Sequence, residues 1–209
     1  MSIYNSLAGK RLNRIEGLSD GVFSIAMTLL VFNLKDPLTG AVQSDKELWL
    51  ALQSILPALL SFFLSFMTLG IFWTGHSTQF QFIERSDRNL NWISILFLMF
   101  VSLVPFSTSI LAGHINNRLS IGIYWLNIFF LGAFLYFHWL YARRKNLLSE
   151  KENNLVLIDK GIRNRIITAQ CLYAAAALLC FWSVYISIGA IILIQLNYAF
   201  GIINRKTTK

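Results

Sequence analysis

Arg14-Ile-Glu-Gly-Leu-Ser-Asp20-Gly-Val-Phe-Ser-Ile25-Ala-Met-Thr28-Leu-Leu-Val-Phe32 carries the first apolar run of membrane length in this chain, with an aspartate just inside it. A carboxylate near the centre of a spanning helix costs about 2.5–3.5 kcal/mol on insertion scales, and less towards the end. Asp20 is therefore expected to face protein or water rather than acyl chains. Small, hydroxyl and branched apolar residues come after it, a mixture suited to lining a narrow passage.

The rest of the chain has the same character. Of its 209 residues 56% are hydrophobic and only 13% charged, and the mean hydropathy is +0.57. A soluble domain of this length cannot hide so much apolar surface, so the composition indicates an all-α, polytopic membrane protein. The net charge of +8 does not point to nucleic acid, because the basic residues cluster in the gaps between apolar runs. Residues 1–14 are polar and basic, and the run after them lacks a small-residue cleavage site, so no secretory leader is expected. Cys171 and Cys180 lie on opposite sides of one helical run and are expected to be small buried apolar residues.

Six apolar runs, at roughly 17–34, 49–73, 91–113, 119–141, 166–184 and 186–203, each approach the 20 or so residues that cross a bilayer. They form one six-helix transmembrane domain over 1–209. Pro37 is expected to end the first run, and Pro57 and Pro105 to lie inside the second and third, where they bend the helix. The last two runs meet near Tyr185-Ile-Ser187, which reads as a tight hairpin.

Lysine and arginine set the orientation. Fifteen of the 18 fall on one side: Lys10, Arg11 and Arg14 before the first run, Arg85 and Arg88 after the second, seven in the 142–165 gap, and Arg205, Lys206 and Lys209 at the end. Only Lys35, Lys46 and Arg118 lie opposite. The richer side is expected to be cytoplasmic, which gives a multi-pass protein of the cell membrane with both termini in the cytoplasm. The 142–165 gap also holds Glu150, Glu152 and Asp159, and reads as a solvated topology anchor or as a contact for anionic lipid.

A helical wheel gives the first run two sides. With Ile25 at zero, Gly21 falls at about 320°, Thr28 at about 300°, Phe32 at about 340° and Leu29 at about 40°, whereas Ser19 lies near about 120° and Asp20 near about 220°. One reading turns the stripe Gly21, Ile25, Thr28 and Phe32 towards a symmetry axis, with Ile25 as an apolar ring that gates by dewetting. The other packs the stripe against a helix of the same subunit. The segment occurs once, so a pore lined by it needs several chains around an axis.

These residues resemble the transmembrane protein 175 family, the lysosomal potassium channels and their bacterial relatives. The family's first helix opens with arginine, three residues, then Phe-Ser-Asp; Arg14, Ser19 and Asp20 match, and Leu18 replaces the phenylalanine. The similarity continues through Gly70-Ile-Phe-Trp-Thr-Gly-His76, through Asn89-Leu-Asn91, and through Leu96-Phe-Leu-Met-Phe-Val-Ser-Leu-Val-Pro105-Phe106. Trp92 departs from the usual aliphatic residue. The resemblance implies a homotetramer of six-span subunits with the pore lined by the first helix. It implies a constriction at Ile25, with Thr28, Leu29 and Phe32 further along. It also implies that Arg14, Ser19 and Asp20 hold that helix by hydrogen bonds, with His76 and Asn91 as partners.

Other chemistry is sparse. The sequence has no glycine-rich phosphate loop, no Cys/His cluster and no nucleophile–base spacing, so no enzyme and no cofactor are expected. His114 and His138 read as isolated, and the tryptophans Trp49, Trp73, Trp92, Trp125 and Trp139 as interfacial anchors. The Thr-Val-Gly-Tyr-Gly filter is also missing. A modest preference for potassium is then expected from the lower cost of stripping its water. The sequence leaves three functions open: a potassium-permeable channel, a proton pathway using Asp20 and His76, and a non-conducting membrane scaffold.

Overall fold

A computed structural model describes residues 11–34, 44–149 and 154–201, and among these nearly all are helical. Helix α1 runs Leu12–Leu29 and tightens into a 3-10 turn over Leu30–Asn33. It is followed by α2 (Asp45–Ser54), α3 (Leu56–Phe82), α4 (Arg88–Gly113) and α5 (Arg118–Arg144). Helix α6 (Leu155–Leu178) ends in a 3-10 turn at Leu179–Phe181, and α7 spans Val184–Phe200. Five of these segments are long and apolar enough to cross a membrane, while α7 has 17 residues and is shorter. Lys10, Lys35, Lys151, Arg205, Lys206 and Lys209, which count towards the orientation, lie outside the described residues, as do Pro37, Glu150 and Glu152.

Several helix limits differ from the expectation. The second apolar run is divided. Ser44 caps α2 by accepting from the Glu47 backbone N–H at 3.3 Å, and the chain leaves that helix at Ile55. Pro57 then sits in the first turn of α3, where its missing N–H costs nothing, so it starts a helix rather than bending one. Helix α3 also continues past Trp73 to Phe82, because its polar residues His76 and Gln79 turn inward and find partners. Helices α1 and α6 begin before the runs anticipated at 17 and 166, at Leu12 and Leu155. Pro105 does lie within α4, and its carbonyl accepts from Asn33 Nδ2 at 3.1 Å, tying the far end of α1 to the bundle.

The bundle closes around one apolar core shared by α1 and α3–α7, including Phe23, Leu30, Leu69, Phe97, Val101 and Leu131. A smaller cluster of Ile15, Phe80, Ile83, Leu90 and Ala142 gathers the ends of α1, α3, α4 and α5. At that end Asp87 caps α4 by accepting from the Leu90 N–H at 2.8 Å, and Tyr141 donates to the same carboxylate at 2.7 Å. Residues after α3 pair with residues after α5, through Ile83 and Leu148 and the Ser149 N–H donated to the Phe82 carbonyl. The turn after α5 needs a left-handed residue, and Asn146 supplies it at φ 51°.

The 142–165 segment is less solvated than its charge suggests. Asp159 lies on the first turns of α6, is buried, and pairs with Arg143 and Arg163. It also accepts from Trp139 Nε1 at 3.0 Å, so Trp139 is a buried strut between α5 and α6 and not an interfacial anchor. Cys180 is buried as expected, but Cys171 is exposed on the outer side of α6.

Candidate functional site

Helix α1 settles where its two sides point within the protomer. Ile15, Ser19, Phe23, Ala26 and Leu30 are buried, and recur every three to four residues along one face. The stripe on the other side makes no such contact: Ile25 is 61% exposed, Phe32 77%, and Leu29, Gly21 and Thr28 are exposed too. A Cβ added at Gly21 would meet nothing within 4 Å. An apolar helix face of this kind is stable only against lipid or against other copies of the chain. The Thr28 hydroxyl donates to the Ile25 carbonyl at 2.9 Å, which leaves its oxygen as an acceptor on the open side.

The buried side carries the polar anchors. Ser19 Oγ and His76 Nδ1 share a hydrogen bond of 2.9 Å, with both residues almost fully buried. Ser19 lies in the middle of the buried arc, so this bond fastens α1 to α3 at its back. The His76 ring is enclosed by Phe80, Phe97 and His138, with centroids 4.5, 4.6 and 4.9 Å away. His138 is therefore not isolated. Its Nδ1 bonds Gln79 Oε1 at 2.7 Å, and Gln79 Nε2 donates to the Leu135 carbonyl at 3.0 Å. Both Nε2 atoms, on His76 and on His138, are buried without a partner.

Asp20 is held differently. Trp73 Nε1 donates to Asp20 Oδ1 at 2.8 Å on the exposed flank between α1 and α3. Trp73 thus works as a hydrogen-bond donor to the signature carboxylate rather than as an anchor alone. Arg14 does not join it: the partner that Asp20 finds is the Trp73 indole, and no ion pair forms between Arg14 and Asp20 among the described residues. Six residues along a helix place Arg14 and Asp20 about 120° apart, on different flanks. Asn91 accepts from Ser86 Oγ at 2.6 Å at the start of α4, and Leu18 is exposed beside the open stripe. The structure brings Ser19 and His76 together, as the sequence reading expects. It adds Trp73, Gln79 and His138 to the network. A polar residue within an apolar run, at matching depth in two neighbouring spans, is the sequence signal that marks them.

A second polar cluster crosses the core at mid-depth. Tyr124 Oη lies 3.0 Å from Thr68 Oγ1, Gln195 Nε2 donates to Thr68 Oγ1 at 2.7 Å, and Thr108 donates to Ser65 at 2.6 Å. It joins α3, α4, α5 and α7 and stands apart from the open stripe.

Comparison with known proteins agrees with this architecture. Residues 14–105 match the family described as endosomal/lysosomal potassium channel TMEM175. A potassium channel of Chamaesiphon minutus is 32% identical over 196 residues, which cover 89% of this chain and 92% of that protein. A potassium channel of Streptomyces collinus is 38% identical over 104 residues, so this chain matches 49% of its length. The zebrafish endosomal/lysosomal proton channel TMEM175 is 31% identical over 148 residues, which are 28% of its length. The crystal structure of a lysosomal potassium-selective channel TMEM175 homolog from Chamaesiphon minutus superposes with a TM-score of 0.78 at 29% identity, covering 90% of this chain and 96% of that one. With its signature helix, its bundle of spanning helices and these relatives, the chain belongs to the TMEM175 family, whose members are multi-pass membrane ion channels and not enzymes.

Proposed function

We propose that four copies of this chain form a potassium-permeable cation channel, with α1 of each subunit lining the pore. The observation that carries this reading is the two-sidedness of α1: its back is buried and fastened through Ser19, while Gly21, Ile25, Thr28, Leu29 and Phe32 face out of the protomer. Around a fourfold axis, Ile25 forms the narrowest ring and closes the path when the water inside it is lost. Gly21 widens the mouth on the Arg14 side, and Thr28 presents acceptor oxygens just past the ring. Potassium passes as a partly hydrated permeating ion, favoured modestly over sodium because it releases water at lower cost. No cofactor takes part.

Each subunit crosses the membrane six times, α7 being the short last span, with both termini on the cytoplasmic side of the cell membrane. Ser19 and His76 fix the back of α1, Asp20 and Trp73 fix its flank, and Arg14, Leu18 and Asn91 shape the mouth. The names of three bacterial relatives, each a potassium channel, support the choice of ion. The names of the vertebrate relatives, proton channels, keep proton permeation as a second reading. In this structure Asp20 and His76 bond to different partners on different sides of α1, which disfavours a relay through that pair. Recording from purified protein in planar bilayers tests both. A potassium pore reverses near the potassium equilibrium potential; currents that follow the pH gradient, or no current at all, refute it.

A further inference from the structure

Arg165 sits on α6, ten residues beyond its start, about 15 Å along the helix axis. Its guanidinium lies 5.5 Å from the ring centroid of Tyr198 on α7, and the Tyr198 hydroxyl donates to the Arg165 carbonyl at 3.3 Å. Asp159, the acidic residue of the same helix, is taken by Arg143 and Arg163, so among the described residues Arg165 has no carboxylate partner. Three recesses meet at Arg165 and Tyr198. One is a polar shelf of about 370 Å³ that includes Asn164, Thr168 and Asn197. The second is an apolar furrow of about 310 Å³ along Phe66, Met67, Ile71 and Trp73 of α3 and Ala199 of α7. The third, of about 90 Å³, runs inward to Gln170 and Tyr173. At its end the Tyr173 hydroxyl, on a residue 1% exposed, and Gln170 Oε1 are buried without hydrogen-bond partners.

We propose that this recess binds one anionic phospholipid, its phosphate on the shelf against Arg165 and an acyl chain in the furrow beside α3. The chemistry fits that occupant on three counts. A cation without a carboxylate partner among the described residues sits at the end of the basic 142–165 segment, and basic pockets between spanning helices are suited to acidic headgroups. Among the described residues no aspartate or glutamate lines any of the three recesses, so a zwitterionic headgroup brings its ammonium towards Arg165 with no carboxylate there to balance it. The inner pocket has room for about three waters, which link the headgroup to the stranded Tyr173 hydroxyl. The furrow also touches Trp73, whose indole holds Asp20 on α1. A bound lipid therefore contacts a side chain that positions α1.

Native mass spectrometry of the purified, delipidated channel, mixed with equal amounts of phosphatidylglycerol and phosphatidylcholine, tests the proposal. The wild type retains phosphatidylglycerol about fivefold better, the worth of one basic residue at a membrane surface. Arg165→Gln removes the preference and Arg165→Lys keeps most of it. Arg144→Gln, at the end of α5 and outside the recess, leaves it unchanged. Asn164→Asp, at an exposed position, weakens retention by placing a carboxylate beside the phosphate, and it decides the matter if Arg165→Gln fails to fold. Equal retention of both lipids by the wild type, as when a neighbouring subunit closes the recess, overturns the proposal. So does an unchanged preference in folded Arg165→Gln or in Asn164→Asp.

Discussion

Replacing Ser19 with alanine removes one partner of the bond that fastens the back of α1. His76 is 1% exposed and its Nε2 already lacks a partner, so Ser19→Ala leaves both ring nitrogens unsatisfied. Three rings pack within 5 Å of the imidazole, centroid to centroid, and leave little room for a water to replace the hydroxyl. Stranding a buried polar atom costs about 1–3 kcal/mol, more than the average net value of a hydrogen bond. For a chain of this size about 1 kcal/mol lowers the melting temperature by about 2–4 °C. Ser19→Ala is thus expected to melt about 2–12 °C lower in detergent, followed by tryptophan fluorescence or by loss of the monodisperse peak on size exclusion. The decisive comparison is the same substitution in a His76→Phe background. There the polar partner is gone, and the serine step is expected to cost less than about 0.5 kcal/mol. An equal loss in both backgrounds refutes the tie between α1 and α3. In bilayers, Ser19→Ala should change open probability and leave unitary conductance alone, because Ser19 faces away from the open stripe.

Ile25→Asn places an amide in the proposed ring and is expected to raise unitary conductance and lower potassium-to-sodium discrimination; unchanged single-channel currents would remove Ile25 from the constriction. Trp73→Phe removes the indole N–H that Asp20 accepts, together with part of the ring, at an exposed site, so a stability loss of about 0.5–1.5 kcal/mol from the lost bond is expected. Its reversal potential should stay at the wild-type value, and a shifted one would place Asp20 in the ion path. Asp159→Asn leaves Arg143 and Arg163 facing a neutral amide. Both arginines are 40% exposed and partly screened, so the expected loss is about 1–3 kcal/mol, read as a lower melting temperature. A neutral outcome there would mean that the two ion pairs add nothing to the Trp139 bond at this seam between α5 and α6.

The membrane class, the helical content and the division of α1 into two faces are legible in the order of residues alone. Each depends on a local period: apolar runs near 20 residues, and a return to the same helix face every three to four. The stripe Gly21, Ile25, Thr28 and Phe32 can be drawn on a wheel for that reason. What it faces depends on which surface of α1 the other helices bury, and a wheel does not contain them. The division at Ile55 is hidden in the hydropathy, because Trp49-Leu-Ala-Leu52 is as apolar as the start of α3. A weaker signal, Pro57 in the first turn of the next helix, marks that boundary.

The polar network shows the limit most clearly. Ser19 and His76 stand 57 residues apart, Asp20 and Trp73 53, and Gln79 and His138 59. Nothing local marks these as pairs, and Trp73 and Trp139 fit an interfacial belt until their indoles are found on carboxylates. Burial is a property of the assembled bundle. An Asp159 that reads as solvated becomes a buried hub only once α5 and α6 lie side by side. The sequence by itself determined that the chain lives in a membrane as helices and which residues of α1 share a face. Tertiary packing alone decided which polar atoms are satisfied and which are stranded, because both depend on neighbours brought together from distant positions along the chain.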